Sequence, residues 1–153
     1  MKKTIIFFIF LIINFSALGI GSLLMNNGPL TEWYINLNKA PWTPPGWAFG
    51  LAWTTIMICF SFYMLFLYSE HNSTKVKTLF LLQVILNISW NYLFFNQHLV
   101  GTALIAIILL TLLTFYFLIS YKKQLGLKSV FILPYSIWLC IATSLNAYIL
   151  FNN

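Results

Sequence analysis

The sequence predicts an all-α integral membrane protein, a bundle of five transmembrane helices. Three observations carry that prediction. The 153 residues are 61% hydrophobic and 7% charged, whereas a soluble domain carries about 25% charged residues. Such a chain cannot clothe a water-facing surface. Its apolar residues fall into five runs of the length, roughly 20 residues, that a helix needs to cross a bilayer. Threading those runs back and forth puts nearly every lysine on one side, the asymmetry expected of a multi-pass protein. The runs must be helical, because unpaired backbone groups are intolerable in lipid and the in/out alternation of a strand barrel is missing.

The first span covers residues 4–25. It follows Met1-Lys2-Lys3 and is longer than the apolar core of a signal peptide, about 7–15 residues. Asn26-Asn27 is not a small-residue cleavage site, so the segment reads as a retained span. Its Ala17-Leu18-Gly19-Ile20-Gly21 stretch has the small-xxx-small spacing that permits close helix approach, within the chain or between chains.

Residues 26–45 form a long loop. Four of the six tryptophans fall between Trp33 and Trp53, interleaved with Pro41, Pro44 and Pro45. A stiff aromatic stretch beside membrane helices reads as the lid or mouth of a pocket for a flat apolar ligand. The second span, 46–68, starts after Pro44-Pro45, a helix-start signal. Trp42 and Trp47 suit an interfacial aromatic belt. Trp53 lies about two turns deeper, where packing or ligand contact is the better reading.

The third span, 78–95, follows the polar loop Ser69–Lys75. Gln83, Asn87, Trp90 and Asn91 share one helical face. Amides in hydrocarbon need partners, so this face points into the bundle as interhelical glue, with Trp90 as a pocket wall. Asn96-Gln97-His98 is a tight link to the fourth span, 99–120. A basic stretch, Lys122–Lys128, leads to the fifth, 130–151. There Trp138, Ala142 and Leu145 form a stripe, and the small Ala142 leaves a gap into which a flat ring can slide. Pro134 is tolerable in or near the first turn.

With five spans, Lys2, Lys3, Lys75, Lys77, Lys122, Lys123 and Lys128 share one side and only Lys39 lies on the other. This predicts a cell-membrane protein with the N-terminus cytoplasmic and the C-terminus and aromatic loop outside. The net charge of +6 comes from scattered lysines and forms no nucleic-acid-binding stripe. Cys59 and Cys140 sit in apolar runs as small fillers, and no metal-binding spacing exists. His71 and His98 lie in loops. Glu32 and Glu70 lie on opposite faces, so no paired carboxylates, nucleophile–base pair or phosphate loop equips the chain for ordinary catalysis.

Together these landmarks resemble the translocator protein / tryptophan-rich sensory protein family (TspO/MBR, peripheral benzodiazepine receptor-like), in a bacterial form. Trp33-Tyr34 followed by Lys39-Ala40-Pro41-Trp42-Thr43-Pro44-Pro45 resembles its first-loop signature, and Phe49 and Trp53 follow at its spacing. Leu86-Asn87, Trp90 and Phe94-Phe95 resemble its third helix. Pro134-Tyr135, Trp138, Ala142-Thr143 and Leu145-Asn146 resemble its fifth.

The resemblance implies a five-helix bundle, commonly a homodimer, with one pocket per subunit closed by the first loop. It implies binding of porphyrins such as protoporphyrin IX, as ligand and not as resident cofactor, and in some members of sterols. By motif position the ligand-binding residues would be Tyr34, Trp42, Phe49, Trp53, Asn87, Trp90, Trp138, Ala142 and Leu145. Trp53 and Trp138 match tryptophans linked to light-dependent porphyrin breakdown, which leaves that photochemistry as the one catalytic role in a protein otherwise read as a binder.

The chain also departs from the family pattern. Where many relatives have an acid in the fourth span it reads Leu104-Ile105-Ala106-Ile107, and no basic residue follows Tyr148 as in the vertebrate cholesterol motif. Leu118–Lys123 fits the loose sterol pattern. A second reading is a transporter or exporter of tetrapyrroles or other hydrophobic molecules. The absence of repeats, intramembrane charges and broken helices favours binding.

Overall fold

The computed structural model describes residues 2–153, and every regular element among them is helical. Helix α1 spans Lys3–Leu24. A 3₁₀ turn at Gly28–Leu30 and the short α2, Glu32–Asn36, follow. Then come α3, Gly46–Glu70, and α4, Thr74–Asn91, continued by a π turn at Tyr92–Asn96. Helix α5, Val100–Leu125, passes through a 3₁₀ stretch, Gly126–Ile132, into α6, Leu133–Asn152. Four continuous helical stretches are long and apolar enough to cross a membrane: Lys3–Leu30, Gly46–Glu70, Thr74–Asn96 and Val100–Asn152.

The last of these, 53 residues long, doubles back on itself. Gly126, with φ +54°, takes a conformation that side chains resist, and α5 and α6 then pack side by side. Thr111 and Thr143 meet hydroxyl to hydroxyl at 3.1 Å, and Asn146 Nδ2 donates to the Val100 carbonyl at 3.0 Å. The expected fourth and fifth spans therefore appear as separate antiparallel helices.

Several boundaries move from their expected places for local reasons. Helix α4 begins at Thr74 rather than 78 because the Ser73 hydroxyl accepts from the Val76 N–H at 3.3 Å, an N-cap. Helix α5 continues to Leu125 rather than 120, and its last turn holds Lys122 and Lys123, where the helix dipole favours cations. The polar links expected at 69–75 and 122–128 are thus largely helical.

The polar face of α4 points inward as expected: Gln83, Asn87, Trp90 and Asn91 are all buried. Gln83 Nε2 donates to the Tyr135 hydroxyl at 2.7 Å, and Trp90 Nε1 donates to Asn146 Oδ1 at 3.0 Å. Asn14 Nδ2 donates to Ser61 Oγ at 2.9 Å, fastening α1 to α3. The stripe of small residues on α1 also faces inward. A Cβ on Gly21 would lie 2.7 Å from Asn91 Nδ2, so the close approach is within the chain.

Tyr135→Phe is expected to lower stability by about 1–3 kcal/mol, the cost of an unmade buried hydrogen bond. Gln83 Oε1 already lacks a partner, so the variant leaves the whole amide unpaired. Thermal unfolding in detergent should show the loss, and Gln83→Leu in the same chain should restore most of it.

The two ends of the bundle differ. The aromatic loop and the C-terminus meet at one end, where Asn38 and Asn153 exchange two hydrogen bonds, of 2.8 and 3.2 Å. At the other end Glu70 pairs with Lys128, Lys75 sits over Tyr116 and Lys77 over Tyr68.

Candidate functional site

The loop of residues 26–45 folds into a cap. Asn26 and Asn27 turn the chain with φ of 47° and 56°, a region that asparagine tolerates. Gly28 then sits directly on Phe95. Thr31 Oγ1 accepts from the Tyr34 N–H at 3.4 Å and so caps α2. Trp33 stacks on His98, with centroids 3.9 Å apart and planes 11° from parallel. At the far side of the cap, Trp42 Nε1 donates to Ser144 Oγ at 3.1 Å and the indole meets Tyr148 edge to face. The cap is thus pinned to the α4–α5 turn on one side and to α6 on the other.

Beneath it lies a cavity of about 560 Å³. Helix α1 contributes Leu18 and Ser22, its C-cap adds Met25, and α3 contributes Phe49, Gly50, Trp53 and Thr54. Trp90, Asn91 and Phe95 form the α4 side, and the cap adds Tyr34, Lys39, Thr43 and Pro44. The π turn matters here. Its wider backbone, with Gln97 N–H bonded to the Tyr92 carbonyl at 3.0 Å, lets the consecutive rings of Phe94 and Phe95 both face inward and stay buried. Trp53 is steadied by an edge-to-face contact with Tyr135 at 6.1 Å.

One charge borders this apolar space. Lys39 Nζ donates to the Ile35 carbonyl at 3.1 Å and lies 4.7 Å from the centroid of the Tyr34 ring, a cation–π geometry. Burial pushes the Tyr34 phenol above its ordinary value, so Tyr34 stays neutral and the rim carries a net positive charge.

Of the residues singled out in the sequence, Tyr34, Phe49, Trp53 and Trp90 come together around the cavity. Ala142 and Leu145 line a crevice of only about 30 Å³ that shares Tyr34, Phe49 and Trp90 with the cavity. The gap over Ala142 has room for about one water molecule, not a ring.

The remaining expected residues lie elsewhere. Asn87 is buried but absent from the cavity wall. Trp42 lies on the outside of the cap, 54% exposed. Trp138 stands behind Phe49, edge to face at 5.3 Å, and lines a separate open groove with Trp47 on the α3–α6 face. Trp53 and Trp138 therefore do not face the same space. Sequence reasoning left out Phe95, Asn91 and the α1 residues. Leu18, Ser22 and Met25 share one helical face, but nothing in their chemistry sets them apart from ordinary packing.

The family model described as TspO/MBR family matches residues 8–151. The chain is 31% identical over 115 residues to the tryptophan-rich sensory protein of Cereibacter sphaeroides, covering 75% of this chain and 73% of that one. It is 31% identical over 135 residues to the tryptophan-rich protein TspO of Archaeoglobus fulgidus, covering 85% and 86%. The human translocator protein is 26% identical over 125 residues, covering 78% and 74%.

Proposed function

The chain belongs to the TspO/MBR family of multi-pass membrane proteins, and on that premise we propose that it is a five-crossing membrane receptor that binds porphyrins and related flat hydrophobic ligands beneath its aromatic cap. The observation that carries this reading is the capped cavity of about 560 Å³. Its size lies in the range of small-molecule sites, about 300–1,000 Å³. Its walls offer Trp53, Trp90 and Phe95 for stacking, worth about 0.5–1.5 kcal/mol per aromatic pair beyond area burial. Five crossings follow from reading α5 and α6 as separate spans. The gathering of seven lysines at the end opposite the cap supports a cytoplasmic N-terminus. Pairing of two such bundles as a homodimer is part of the same proposal.

Light-dependent breakdown of the bound porphyrin is assigned to Trp53, one of the two oxidisable indoles on the cavity wall; the other, Trp90, has its Nε1 engaged by Asn146. Trp138 would act only through Phe49. Transport of tetrapyrroles is the rival reading.

Titrating the purified protein with protoporphyrin IX, in the dark and under light, tests the set. Saturable quenching of tryptophan fluorescence supports binding, and its absence overturns it. Loss of porphyrin only under light, abolished by Trp53→Phe, supports photochemistry. Accumulation of porphyrin against a gradient in reconstituted vesicles overturns a purely receptor role.

Lys39 supplies the recognition of acidic side arms. Lys39→Gln is expected to weaken binding of protoporphyrin IX by up to about five-fold, the range of a partly exposed ion pair. It should leave the dimethyl ester unaffected. Parallel titrations of the two ligands check this.

A further inference from the structure

At the end remote from the cap, α1, α3 and α4 leave a second slot of about 210 Å³ that shares no residue with the main cavity. Its walls include Phe10 and Ile13 of α1, Met64 and Tyr68 of α3, and Phe80 of α4. Phe10, Met64 and Phe80 are buried, while Ile13 is exposed on the apolar outer surface. The slot therefore opens sideways, toward acyl chains rather than water. Among the described residues, Lys77 is the one charged residue lining it.

Three features specify what fits. First, the Lys77 ammonium has no carboxylate: Glu70 is taken by Lys128, and Glu32 belongs to the cap at the far end. Lys77 rests instead over the Tyr68 ring, 5.6 Å from its centroid, a weaker partner than an anion. Second, Lys75 and Lys77 lie in the opening turn of α4, where the helix dipole is positive and disfavours cations. An anion placed at the slot would meet both the Lys77 ammonium and the dipole favourably, while Lys75 turns away over Tyr116 of α5. Third, Lys3 lies one turn before the slot residue Ile6 on the same face of α1. Two positive charges, Lys77 and Lys3, thus crown a narrow apolar slot.

We propose that this slot holds one acyl chain of an anionic phospholipid, with the phosphate on the Lys77 ammonium. Basic pockets between membrane helices have the chemistry for such head groups. A zwitterionic head group would bring its own cation toward Lys77 and Lys3 and lose part of the attraction.

Native mass spectrometry of the detergent-purified full chain tests this, using phosphatidylglycerol and phosphatidylcholine with identical acyl chains. The protein should retain phosphatidylglycerol about five-fold better, the discrimination one lysine near a lipid surface supplies. Lys77→Gln should bring the ratio close to one. Ile13→Trp, at an exposed lining position, should fill the slot and abolish retention. Thermal unfolding of each variant checks that it is folded.

Lys122→Gln, on α5 at the same end but outside the slot, should change nothing. Equal retention of the two lipids by the unmodified protein, a ratio that survives Lys77→Gln, or an equal loss in Lys122→Gln would each overturn the proposal. So would displacement of phosphatidylglycerol by millimolar inorganic phosphate, which would reduce the site to a free-anion contact.

Discussion

Trp53→Ala is expected to weaken protoporphyrin IX binding by about thirty-fold, roughly 2 kcal/mol. The figure combines an aromatic stacking term of about 0.5–1.5 kcal/mol with the apolar area that the indole removes from water, at about 25 cal/mol per Å². Both terms apply in full because the ring is already held in place. Its contact with Tyr135 fixes the indole before any ligand arrives, so little side-chain entropy is lost on binding. Trp138→Ala serves as the comparison. Phe49 stands between Trp138 and the cavity, so the second substitution acts only by loosening Phe49 and should cost no more than about three-fold. Porphyrin absorbance, which does not depend on the indole removed, should be the readout. If Trp138→Ala costs more than Trp53→Ala, the ligand sits in the outer α3–α6 groove and the cavity assignment is wrong.

The helices were legible in the sequence because lipid leaves the backbone no alternative and because amides in hydrocarbon must turn inward. Gln83, Asn87, Trp90 and Asn91 therefore declared both the face of α4 and its direction. The cap was legible through its prolines and tryptophans.

What spacing could not reveal was how neighbouring helices cover one stripe. Trp138, Ala142 and Leu145 do lie along one side of α6. Which space each faces depends on residues far away in the chain: Phe49 packs against Trp138, and Trp90 and Phe94 share with Ala142 a crevice too small for a ring. The π turn was equally hidden, since Tyr92–Asn96 reads as ordinary apolar helix, yet it brings Phe95 to the cavity. Leu18 and Met25 gave no signal because an aliphatic side chain against a ligand looks the same in sequence as one against a helix. Charge behaved differently. Lysines announce an end of the molecule whatever their neighbours do, which is why the asymmetry survived into three dimensions while the site list was rearranged.

Gly28→Ala is expected to speed porphyrin release by about ten- to hundred-fold while leaving the five long helices formed. A Cβ at this position would lie 2.4 Å from Phe95 Cβ and within 2.7 Å of its ring. Phe95 cannot yield, because the nearest atom is its own Cβ, close to the backbone. Its ring is also held by Phe94 at 4.8 Å and Tyr34 at 5.3 Å. The Gly28–Leu30 turn must therefore lift.

Overpacking of this kind costs about 1–3 kcal/mol. Here the strain is relieved by displacing the cap, since the cap is joined to the helices by few contacts and the bundle by many. The Trp33–His98 stack and the Asn38–Asn153 pair would both lose register. The closed state would then be disfavoured by about the same free energy, which converts to the stated change in release rate. Gly19→Ala is the matched control. Its Cβ would meet nothing within 4 Å, and alanine is the better helix former, so stability should hold or rise and release should not change. Stopped-flow dissociation of porphyrin beside far-ultraviolet circular dichroism separates the outcomes. Slow release retained in a well-folded Gly28→Ala protein would mean that the cap does not control exit, and that the ligand leaves sideways between α1 and α3, where Gly46, Gly50 and Thr54 line the cavity and remain exposed.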